Sequence, residues 1–552
     1  MAFLKQHWFK ALILMPIIPV GILIYSLDMF ISIDESLHFL AILVLIVTSL
    51  LLFFLGLYLE LRGRSFKNDE GQHLKRVGNL VGRVVLSVVI IAFVYTSFKL
   101  ASVSARFSKV INNIVVTPPD AQGQLERSYS LVTMSDFDVN NQGSYGRIGI
   151  LAIADETKNL ATEEFLYEQN FILNPIPTVF DSPFDMISAL YDDDIVAIIV
   201  GSNYVQVFDD LDRFEYIEHE TIVLNQFNVE VEQVERAELD PGAPFSILLL
   251  GLNSKDELEE GQINTFMLLT INLEELSFTA VSVPRDSYVP IPCFNYVSDK
   301  LSHTNWGGSA TCAIGAIEHM FDMEIPHYVK LNFTGFMDII DVLGGIEVDV
   351  PFSFSEQDSR RRFGDHLVHL EAGSQRLNAE EALALTRFRG MIGDDFVRVE
   401  HQQLVFHAML REALSSSKGV NDILSLLEVM GHHVETNLSH HDITVIAQYM
   451  LGLLQNRQRT DLIDDIHFIN TVILGDTISM TVRHHGELWV SFPWPGRVAE
   501  ARRLMMINLG LEEPEFTFTF EFDGFNKSYS QWGLTDETYG SSGMLPLDET
   551  SY

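Results

Sequence analysis

Positive charge is scarce in this chain. Its 552 residues contain 36 Lys and Arg against 75 Asp and Glu, and the formal net charge is −39. A surface this acidic repels nucleic-acid backbones, and the sequence contains no basic stripe or helix-turn-helix pattern to offset that repulsion. The composition therefore argues against a nucleic-acid-binding protein, and any contact with phosphate has to be local.

Cysteine is the next scarcity. The chain has two, Cys293 and Cys312, and both fall in the part that we predict below to lie outside the cell, where thiols are not kept reduced. The sequence leaves two alternatives open: a disulfide between them, or two free and partly buried thiols.

Long apolar runs, by contrast, fill the first hundred residues. They cover about residues 11–27, 37–59 and 77–98, and each approaches the ~20 residues that span a bilayer. Lys and Arg precede the first run and separate the second from the third, whereas the loop 28–35 has neither. The positive-inside rule then predicts a multi-pass membrane region at 1–100, with a cytoplasmic N-terminus and extracellular C-terminal domains.

The rest of the chain alternates strand and helix patterns, which predicts an α/β fold with a central sheet flanked by helices. A small α/β accessory domain is expected at 101–240, where we find no catalytic constellation. The segment DPGAP at 240–244 breaks the chain before a second domain at 241–510. Residues 511–552 are acidic and predict a flexible tail.

Arginines concentrate in one stretch of the second domain, LALTRFRGMIGDDFVRVEHQQ at 383–403. Asn378 and Glu381 form a capping-box pattern ahead of it, so a helix begins there. Arg387 and Arg389 would point about 200° apart on a continuing helix but would share a face in an extended segment. Clustering of the two therefore requires the helix to end near Gly390.

A second helix is predicted to follow, with Asp395 as its cap and with Arg398 and Gln402 four residues apart on one side. Three guanidinium groups and an amide could then meet at one turn. Guanidinium forks match phosphate oxygens. The alternative is that each arginine pairs with the abundant surface acids.

The tripeptide PRD at 284–286 adds a further arginine, Arg285, beside a carboxylate, Asp286. It ends an apolar strand, where a sheet commonly presents functional groups, and the carboxylate could hold a divalent cation.

With these residues and several longer motifs the chain resembles the LytR-CpsA-Psr family of cell-wall glycopolymer transferases. The resemblance runs from about 245 to 510 and rests on motifs that occur in family order: INTFMLL at 263–269, SVPRDSYVPIP at 282–292, DKLSHTNWGG at 299–308, HYVKLNFTGFMDIIDVLGGIEVDVP at 327–351, LNAEEALALTRFRG at 377–390 and DFVRVEHQQ at 395–403.

The resemblance implies an enzyme that transfers a teichoic acid, capsular or other wall polysaccharide from a polyprenyl pyrophosphate carrier to peptidoglycan through a phosphodiester. It implies Mg²⁺ or Mn²⁺ as cofactor, and membrane lipid as a further partner. The arginines that match the family's pyrophosphate-binding arginines, and the matching glutamine, are Arg285, Arg387, Arg389, Arg398 and Gln402. Asp286 matches the metal-binding acid, and Asp395 is either a further metal ligand or a plain helix cap.

Departures from the family pattern are equally informative. Gln262 and Asn264 stand where an arginine and a metal-binding acid are usual, so we expect Asn264 to offer Mg²⁺ a neutral carbonyl oxygen and to bind it more weakly. Asn253 and His401 replace a further acid and arginine. These changes leave a second hypothesis open, a non-catalytic protein that binds lipid-linked glycan. A third, a transcriptional regulator, disagrees with the predicted external location.

Overall fold

The computed structural model describes most of the chain. The described residues are 47–59, 73–113, 124–137, 146–152, 175–208, 212–232, 239–240, 242–254, 261–305, 310–390, 395–413, 425–426, 433–439, 441–447, 449, 467–482, 486–511, 521–522 and 527–528. By its internal contacts the chain divides into two compact units, Met1–Asn113 with Ile443–Gly452, and Ile114–Asp442 with Leu453–Tyr552.

The described residues of the first unit include two apolar helices, α1 (Val47–Leu59) and α2 (His73–Asn113). Within α2 the 20 residues Leu80–Lys99 are long and apolar enough to cross a membrane, and only 22% of this stretch is buried by protein. A core helix of a soluble domain would be mostly buried. Three membrane helices were predicted, and the described residues contain one of sufficient length; the run 11–27 lies outside them.

The described helices of the second unit include two short ones at Tyr204–Phe208 and Ile217–Glu220. The longer helices are α3 (Pro183–Tyr191), α4 (Thr311–Phe321), α5 (Phe333–Leu343), α6 (Ala379–Arg387), α7 (Asp395–Ala413) and α8 (Pro495–Asn508). Single 3₁₀ turns lie at Asp212–Phe214, Pro292–Phe294, Leu301–Thr304 and Gly364–His366.

Its strands, in chain order, are β1 (Gln124–Met134), β2 (Gly146–Leu151), β3 (Pro175–Phe180), β4 (Ala197–Gly201), β5 (Thr221–Glu232), β6 (Phe245–Leu252), β7 (Ile263–Asn272), β8 (Ser277–Val283), β9 (Tyr288–Pro290), β10 (Ser298–Lys300), β11 (His327–Leu331), β12 (Ile346–Val350), β13 (Phe354–Glu356), β14 (Val368–Leu370), β15 (Gly373–Leu377), β16 (Val434–Thr436), β17 (His467–Val472), β18 (Gly475–Val482), β19 (Gly486–Pro493), β20 (Glu521–Phe522) and β21 (Lys527–Ser528).

The mixed α/β architecture is confirmed. The first sheet has five strands in the order β3-β2-β4-β1-β5, and the second has six in the order β16-β11-β6-β7-β8-β17. In the second sheet β6 pairs in parallel with β11 and β8 in parallel with β17, while the remaining pairs are antiparallel. The predicted domain boundaries stay predictions.

The six-stranded sheet has two different faces because successive side chains of a strand point to opposite sides. On β6, Leu248 and Leu250 lie fully buried in the main core, whereas Leu249 and Gly251 line a cavity on the other face. Helices α4 and α8 pack together, with α8 against β7 and β8, and α5, α6 and α7 form a second packed group. The cavity lies between the sheet and this second group.

The two sheets share one buried core, which runs from Val132 and Val200 of the first sheet to Leu250 and Val283 of the second. Polar contacts join them as well. Asn203 Nδ2 donates to the main-chain oxygen of Asn305 at 2.5 Å, and the rings of Phe184 and His303 stack edge to face with centroids 5.2 Å apart. The segment 298–305, which follows the PRD tripeptide at 284–286 in the chain, is therefore held by contacts with residues that neighbour the first sheet.

Cys293 and Cys312 form a disulfide with Cα atoms 5.5 Å apart. It joins the 3₁₀ turn Pro292–Phe294 to the first turn of α4. Of the two alternatives that the sequence left open, the structure contains the bonded one, and it leaves no free thiol in the chain. The acidic tail lies largely outside the described residues; within it β20 pairs with β21.

Candidate active site

The PRD segment follows β8 directly and is fixed through its main chain. Arg285 O accepts a hydrogen bond from Ser302 N at 2.9 Å, and Asp286 O accepts one from Ser491 N at 2.8 Å. The carbonyls of Arg285 and Asp286 are thus bonded to other parts of the second unit. The side chains of Arg285 and Asp286 are positioned by backbone contacts that do not involve their charged groups.

The guanidinium of Arg285 is held by the two residues that depart from the family pattern. Its Nη1 donates to Asn264 Oδ1 at 2.7 Å and to Gln262 Oε1 at 3.1 Å. Asn264, predicted as a metal ligand, therefore contacts an arginine instead. Since an amide oxygen has a second lone pair, its role toward a metal stays a prediction.

Asp286 is surrounded by cations. Lys300 Nζ lies 3.1 Å from its Oδ1, and Arg285 Nε lies 3.7 Å from the same oxygen. Burial would raise the pKa of Asp286, but Lys300, Arg285 and Arg398 together hold that pKa below its usual value. The carboxylate is therefore ionised at neutral pH although it is nearly buried.

Helix α6 ends where the arginine cluster requires. Asn378 and Glu381 form the predicted capping box, with Glu381 N donating to Asn378 Oδ1 at 3.0 Å and Asn378 N to Glu381 Oε2 at 2.9 Å. Arg387 is the last helical residue, and Phe388 is extended at φ −69° and ψ 125°. The helix ends three residues before Gly390, so Arg389 lies in a non-helical segment, as the clustering needs.

Helix α7 begins at Asp395, but this residue is not the backbone cap that the sequence suggested as one alternative. Both of its carboxylate oxygens lack a hydrogen-bond donor among the described residues. Asp395 forms an ion pair with Arg398, one turn along the helix, and its Oδ1 lies 3.9 Å from Arg389 Nε. The carboxylate therefore belongs to the arginine cluster.

Arg398 and Asp395 are close enough for an ion pair, but the angles between their charged groups do not allow a hydrogen bond. The Nε and Nη2 groups of Arg398 and both oxygens of Asp395 are buried without hydrogen-bond partners in the described part of the chain. Burial lowers the pKa of Arg398 to about 10 and raises that of Asp395, on which Asp286 also acts. Buried polar groups left in this state favour a ligand that completes their hydrogen bonds.

Arg387 and Gln402 complete the predicted set. Arg387 Nη1 donates to Asp358 O at 3.0 Å, and its guanidinium lies over the ring of Phe333 at 5.6 Å. Burial, and then the charge of Arg361, lower the pKa of Arg387. Gln402 Nε2 donates to Thr386 O at 3.4 Å, which ties α7 to the end of α6.

The four predicted arginines and Gln402 border one cavity of about 570 Å³. Its polar wall contains an amide just before β7 and one within it, the PRD arginine, one arginine at the end of α6 and one just after it, an arginine and a glutamine of α7, and one arginine of a loop, namely Gln262, Asn264, Arg285, Arg387, Arg389, Arg398, Gln402 and Arg361. The structure therefore brings all four predicted phosphate-binding arginines to one place.

The inner wall of the same cavity is apolar. Helix α7 contributes Arg398, Gln402, Val405 and Met409, at intervals of four, three and four residues, which place them on one helical face. The charged end of that face meets the polar wall. Its apolar end, with Phe406 beside it on the same helix, meets side chains of the sheet and of α5, namely Leu249, Met267, Val329, Leu331, Phe336, Ile339 and Val434. A ligand with an anionic head and an apolar tail fits this division.

Some functional positions were missed by sequence reasoning. Lys300 lies within the quoted motif DKLSHTNWGG, yet only the fold brings it to Asp286. Arg361 belongs to the only run of three consecutive Lys or Arg residues in the chain, RRR at 360–362, and that run was the available signal. His401, at a position where an arginine is usual, is 3% exposed and packs against Phe388 and Phe352, so it lies among aromatic side chains.

Comparison with known proteins agrees with this geometry. Residues 216–472 match the model of the LytR_cpsA_psr family. A polyisoprenyl-teichoic acid–peptidoglycan teichoic acid transferase TagU from Enterococcus faecalis is 31% identical over 222 residues, which are 40% of this chain and 70% of the relative. The transferase of the same name from Halalkalibacterium halodurans is 29% identical over 230 residues, 42% of this chain and 72% of the relative.

Among solved structures, the crystal structure of B. subtilis TagV covers 49% of this chain and 99% of that one, at 24% identity and a TM-score of 0.41. The family match spans both the PRD segment and the two arginine-bearing helices. The chain belongs to the LytR-CpsA-Psr family.

Proposed function

We propose that this protein transfers a wall glycopolymer of the teichoic acid type from a polyprenyl pyrophosphate carrier to peptidoglycan, forming a phosphodiester. The observation that carries the proposal is the two-part cavity, with four arginines at one end and an apolar lining at the other. The relatives, by name, transfer teichoic acid from a polyisoprenyl carrier to peptidoglycan. A capsular polysaccharide is the alternative polymer.

The apolar part of the cavity would hold the first prenyl units of the carrier. The whole cavity, with its polar and apolar walls, has a volume of about 570 Å³, which is in the range of ligand sites that enclose one molecule, roughly 300–1,000 Å³. The sheet and helix α7 each present one face to it, so a prenyl chain contacts side chains rather than backbone. Such a lining fixes the lipid but leaves the head group at the arginines.

The arginines would hold the pyrophosphate and stabilise the charge that develops during transfer. Arg398 is 4% exposed, and its Nε and Nη2, which have no hydrogen-bond partner in the described part of the chain, can each donate to a phosphate oxygen. Burial has lowered its pKa only to about 10, so it is still charged at neutral pH. Preorganised donors of this kind act more strongly in a site from which water is excluded.

A divalent cation fits the carboxylates of this site. Both oxygens of Asp395 are buried without donors, Asp286 is kept ionised by its cationic neighbours, and Mg²⁺ is usually bound by one or two carboxylates plus substrate phosphates. We propose that Asp286 and Asp395 hold Mg²⁺ or Mn²⁺. When bound, the ion would neutralise charge on the phosphates and orient them.

In the reaction, a hydroxyl of a peptidoglycan sugar attacks the phosphorus that carries the glycan. A new P–O bond forms, the bridging P–O bond of the pyrophosphate breaks, and polyprenyl phosphate leaves with the bonding electron pair. The proton of the hydroxyl passes to one of the two carboxylates. Asp395 is the stronger base of the pair because burial raises its pKa.

We further propose that the enzyme is anchored by several N-terminal membrane helices, with its cavity outside the cell. The apolar and mostly exposed stretch of α2 and the charge distribution of the short loops support this placement. It also suits the chemistry, because a lipid pyrophosphate supplies an already activated bond where no ATP is present.

The first test is direct. Full-length protein in detergent micelles is incubated with Mg²⁺, a short polyprenyl-pyrophosphate glycan and peptidoglycan oligomers, and both polyprenyl phosphate release and glycan attachment are measured. We expect both products from the native chain. Arg389→Ala, which removes an arginine that is 40% exposed and needs little repacking, should reduce both.

One observation favours a second candidate, a protein that binds the lipid-linked polymer without transferring it. The usual metal-binding acid is replaced by Asn264, whose amide oxygen is bonded to Arg285. Arginine-dependent binding without release of polyprenyl phosphate, unchanged by Mg²⁺, would establish this alternative and refute the transferase.

A further inference from the structure

The loop between β13 and β14 carries positive charge to the cavity. We call residues Asp358–Phe363 the arginine loop. It contains the three consecutive arginines 360–362 in a chain of net charge −39. Of these three, Arg361 lines the cavity together with Arg387 and Arg389, so one guanidinium of the loop faces the proposed substrate.

Two acids hold the arginine loop in shape: Asp358 within it, and Glu380, whose carboxylate accepts hydrogen bonds from Ser359 N at 2.9 Å and from Ser359 Oγ at 2.6 Å. The Asp358 carboxylate, 6% exposed, accepts hydrogen bonds from Arg360 N at 3.1 Å and Arg362 N at 2.9 Å, and from Arg362 Nε at 2.6 Å. Its main-chain oxygen accepts from Arg361 N at 2.8 Å and from Arg387 Nη1 at 3.0 Å. Asp358 therefore neutralises Arg362 and links the loop to Arg387.

Arg361 itself is held in an unusual backbone conformation, with φ +55°. A side chain other than glycine is disfavoured there, so the surrounding bonds must impose it. The conformation directs the Arg361 guanidinium to Asn253, to whose Oδ1 it donates. The side chain stays exposed to solvent, and Asp358 does not neutralise it as it does Arg362.

The position of Arg361 relative to the PRD arginine is set by a chain of contacts. Asn253 N donates to Gln262 O at 2.9 Å, and Gln262 Oε1 accepts from Arg285 Nη1 at 3.1 Å. The guanidinium of Arg361 thus lies near residue 262, a position at which family members usually have an arginine. Its charge also acts on Arg387. Glu356 lines the same wall and offsets part of this positive charge.

We infer that Arg361 binds the pyrophosphate of the lipid-linked substrate, as a partner of Arg387 and in place of the arginine absent at position 262. The inference rests on the proposed function, because it names a further contact to the same substrate. Two guanidinium groups that share a wall repel each other, and a phosphate between them removes this repulsion and supplies acceptors for both.

The test compares two arginines of the same loop. Binding of geranylgeranyl pyrophosphate to the full-length protein in micelles is measured by titration calorimetry for the native chain, Arg361→Ala and Arg360→Ala. Because Arg361→Ala removes a charge-assisted hydrogen bond, this variant should bind geranylgeranyl pyrophosphate roughly 10- to 100-fold more weakly than the native chain. Arg360→Ala removes the same charge one residue away, where the side chain does not line the cavity, and should bind within about twofold of native.

A relocated arginine sharpens the test. Adding Gln262→Arg to Arg361→Ala restores a guanidinium beside Asn253, so the double variant should recover most of the lost affinity. Equal losses in Arg360→Ala and Arg361→Ala would mean that only general electrostatic attraction is at work, which overturns the proposal.

Arg389→Ala, measured in parallel, separates this inference from the proposed function. If Arg389→Ala weakens binding and Arg361→Ala does not, only the role of Arg361 is refuted. If the native protein itself does not bind the lipid pyrophosphate, the proposed function fails and takes this inference with it.

Discussion

At the scale of single residues, the site has two neutral amides, Gln262 and Asn264, where the family usually has an arginine and an acid. Gln262 and Asn264 both accept hydrogen bonds from Arg285. A carboxylate at 264 would form an ion pair with this arginine and neutralise it, whereas the amide positions it and leaves its charge available to phosphate. The same replacement lowers the negative charge available to a cation, which has to rely on Asp286 and Asp395.

Because Asn264 lacks the negative charge of the usual acid, we predict that Asn264→Asp increases the affinity of the site for Mg²⁺. An added carboxylate beside Arg285 on the cavity wall should tighten Mg²⁺ binding by roughly tenfold or more, the effect of about 1.5–3 kcal/mol expected for one charged contact. Titration of polyprenyl phosphate release against Mg²⁺ measures it. Gln262→Glu, which adds the same charge to the other ligand of Arg285, is the matched control and should change the Mg²⁺ dependence less.

A higher turnover in Asn264→Asp would mean that the natural site is limited by its missing acid. An unchanged Mg²⁺ titration would contradict the prediction and would show that the amide costs the site nothing.

Most of the site residues could be predicted from their motifs, but their contacts could not. Arg285, Arg398 and Gln402 stand at recognisable spacings, and the structure places all three on one cavity. The contact of Lys300 with Asp286 and that of Arg361 with Asn253 depend on loops whose path no local pattern encodes. The apolar cavity residues were invisible for a different reason: a leucine that faces a lipid reads in sequence like a leucine in the core.

At the scale of elements, the site depends on short connections held by a few bonds. The capping box fixes where α6 begins and the extended Phe388 fixes where it ends, and both features could be predicted from the sequence. Opposite them, the connection from β9 through β10 to α4 carries Lys300 and is closed by the Cys293–Cys312 disulfide.

The disulfide predicts a measurable share of stability. Its ends are 19 residues apart, and closing a loop of this size stabilises a fold by about 3 kcal/mol, chiefly by restricting the unfolded chain. The double variant Cys293→Ser, Cys312→Ser should therefore unfold at lower denaturant concentration. Native protein treated with reductant serves as the control and should move to the same midpoint. Equal stability of the oxidised and serine forms would refute the prediction.

At the scale of the whole molecule, location follows from a pattern spread over the chain. The three apolar runs and the charged loops between them predicted an external enzyme, and the structure describes one helix that is long and apolar enough to span a membrane. The α/β class could be predicted because strand and helix patterns alternate over long stretches. The pairing order of the strands could not, since it depends on contacts between distant residues.

The scarcity of cysteine makes the topology easy to test. Both native thiols are bonded, so one introduced cysteine is the only site for a maleimide. Ser374→Cys, on exposed β15, should react with a membrane-impermeant maleimide in intact cells. Ser65→Cys, in the predicted cytoplasmic loop, should react only after lysis. Labelling in the reverse order would place the cavity in the cytoplasm and revive the regulator hypothesis.

Because the two sheets share one core, we expect them to be inherited together in evolution. Phe184 and Asn203 of the first sheet's domain touch His303 and Asn305, only a few residues from the lysine beside Asp286. A recombination event that exchanged the first sheet alone would leave apolar surface uncovered and would loosen the segment that carries Lys300. Each sheet therefore limits the substitutions that are tolerated in the other. Substitutions in the first sheet, which carries no catalytic residue, are then under selection for catalytic activity.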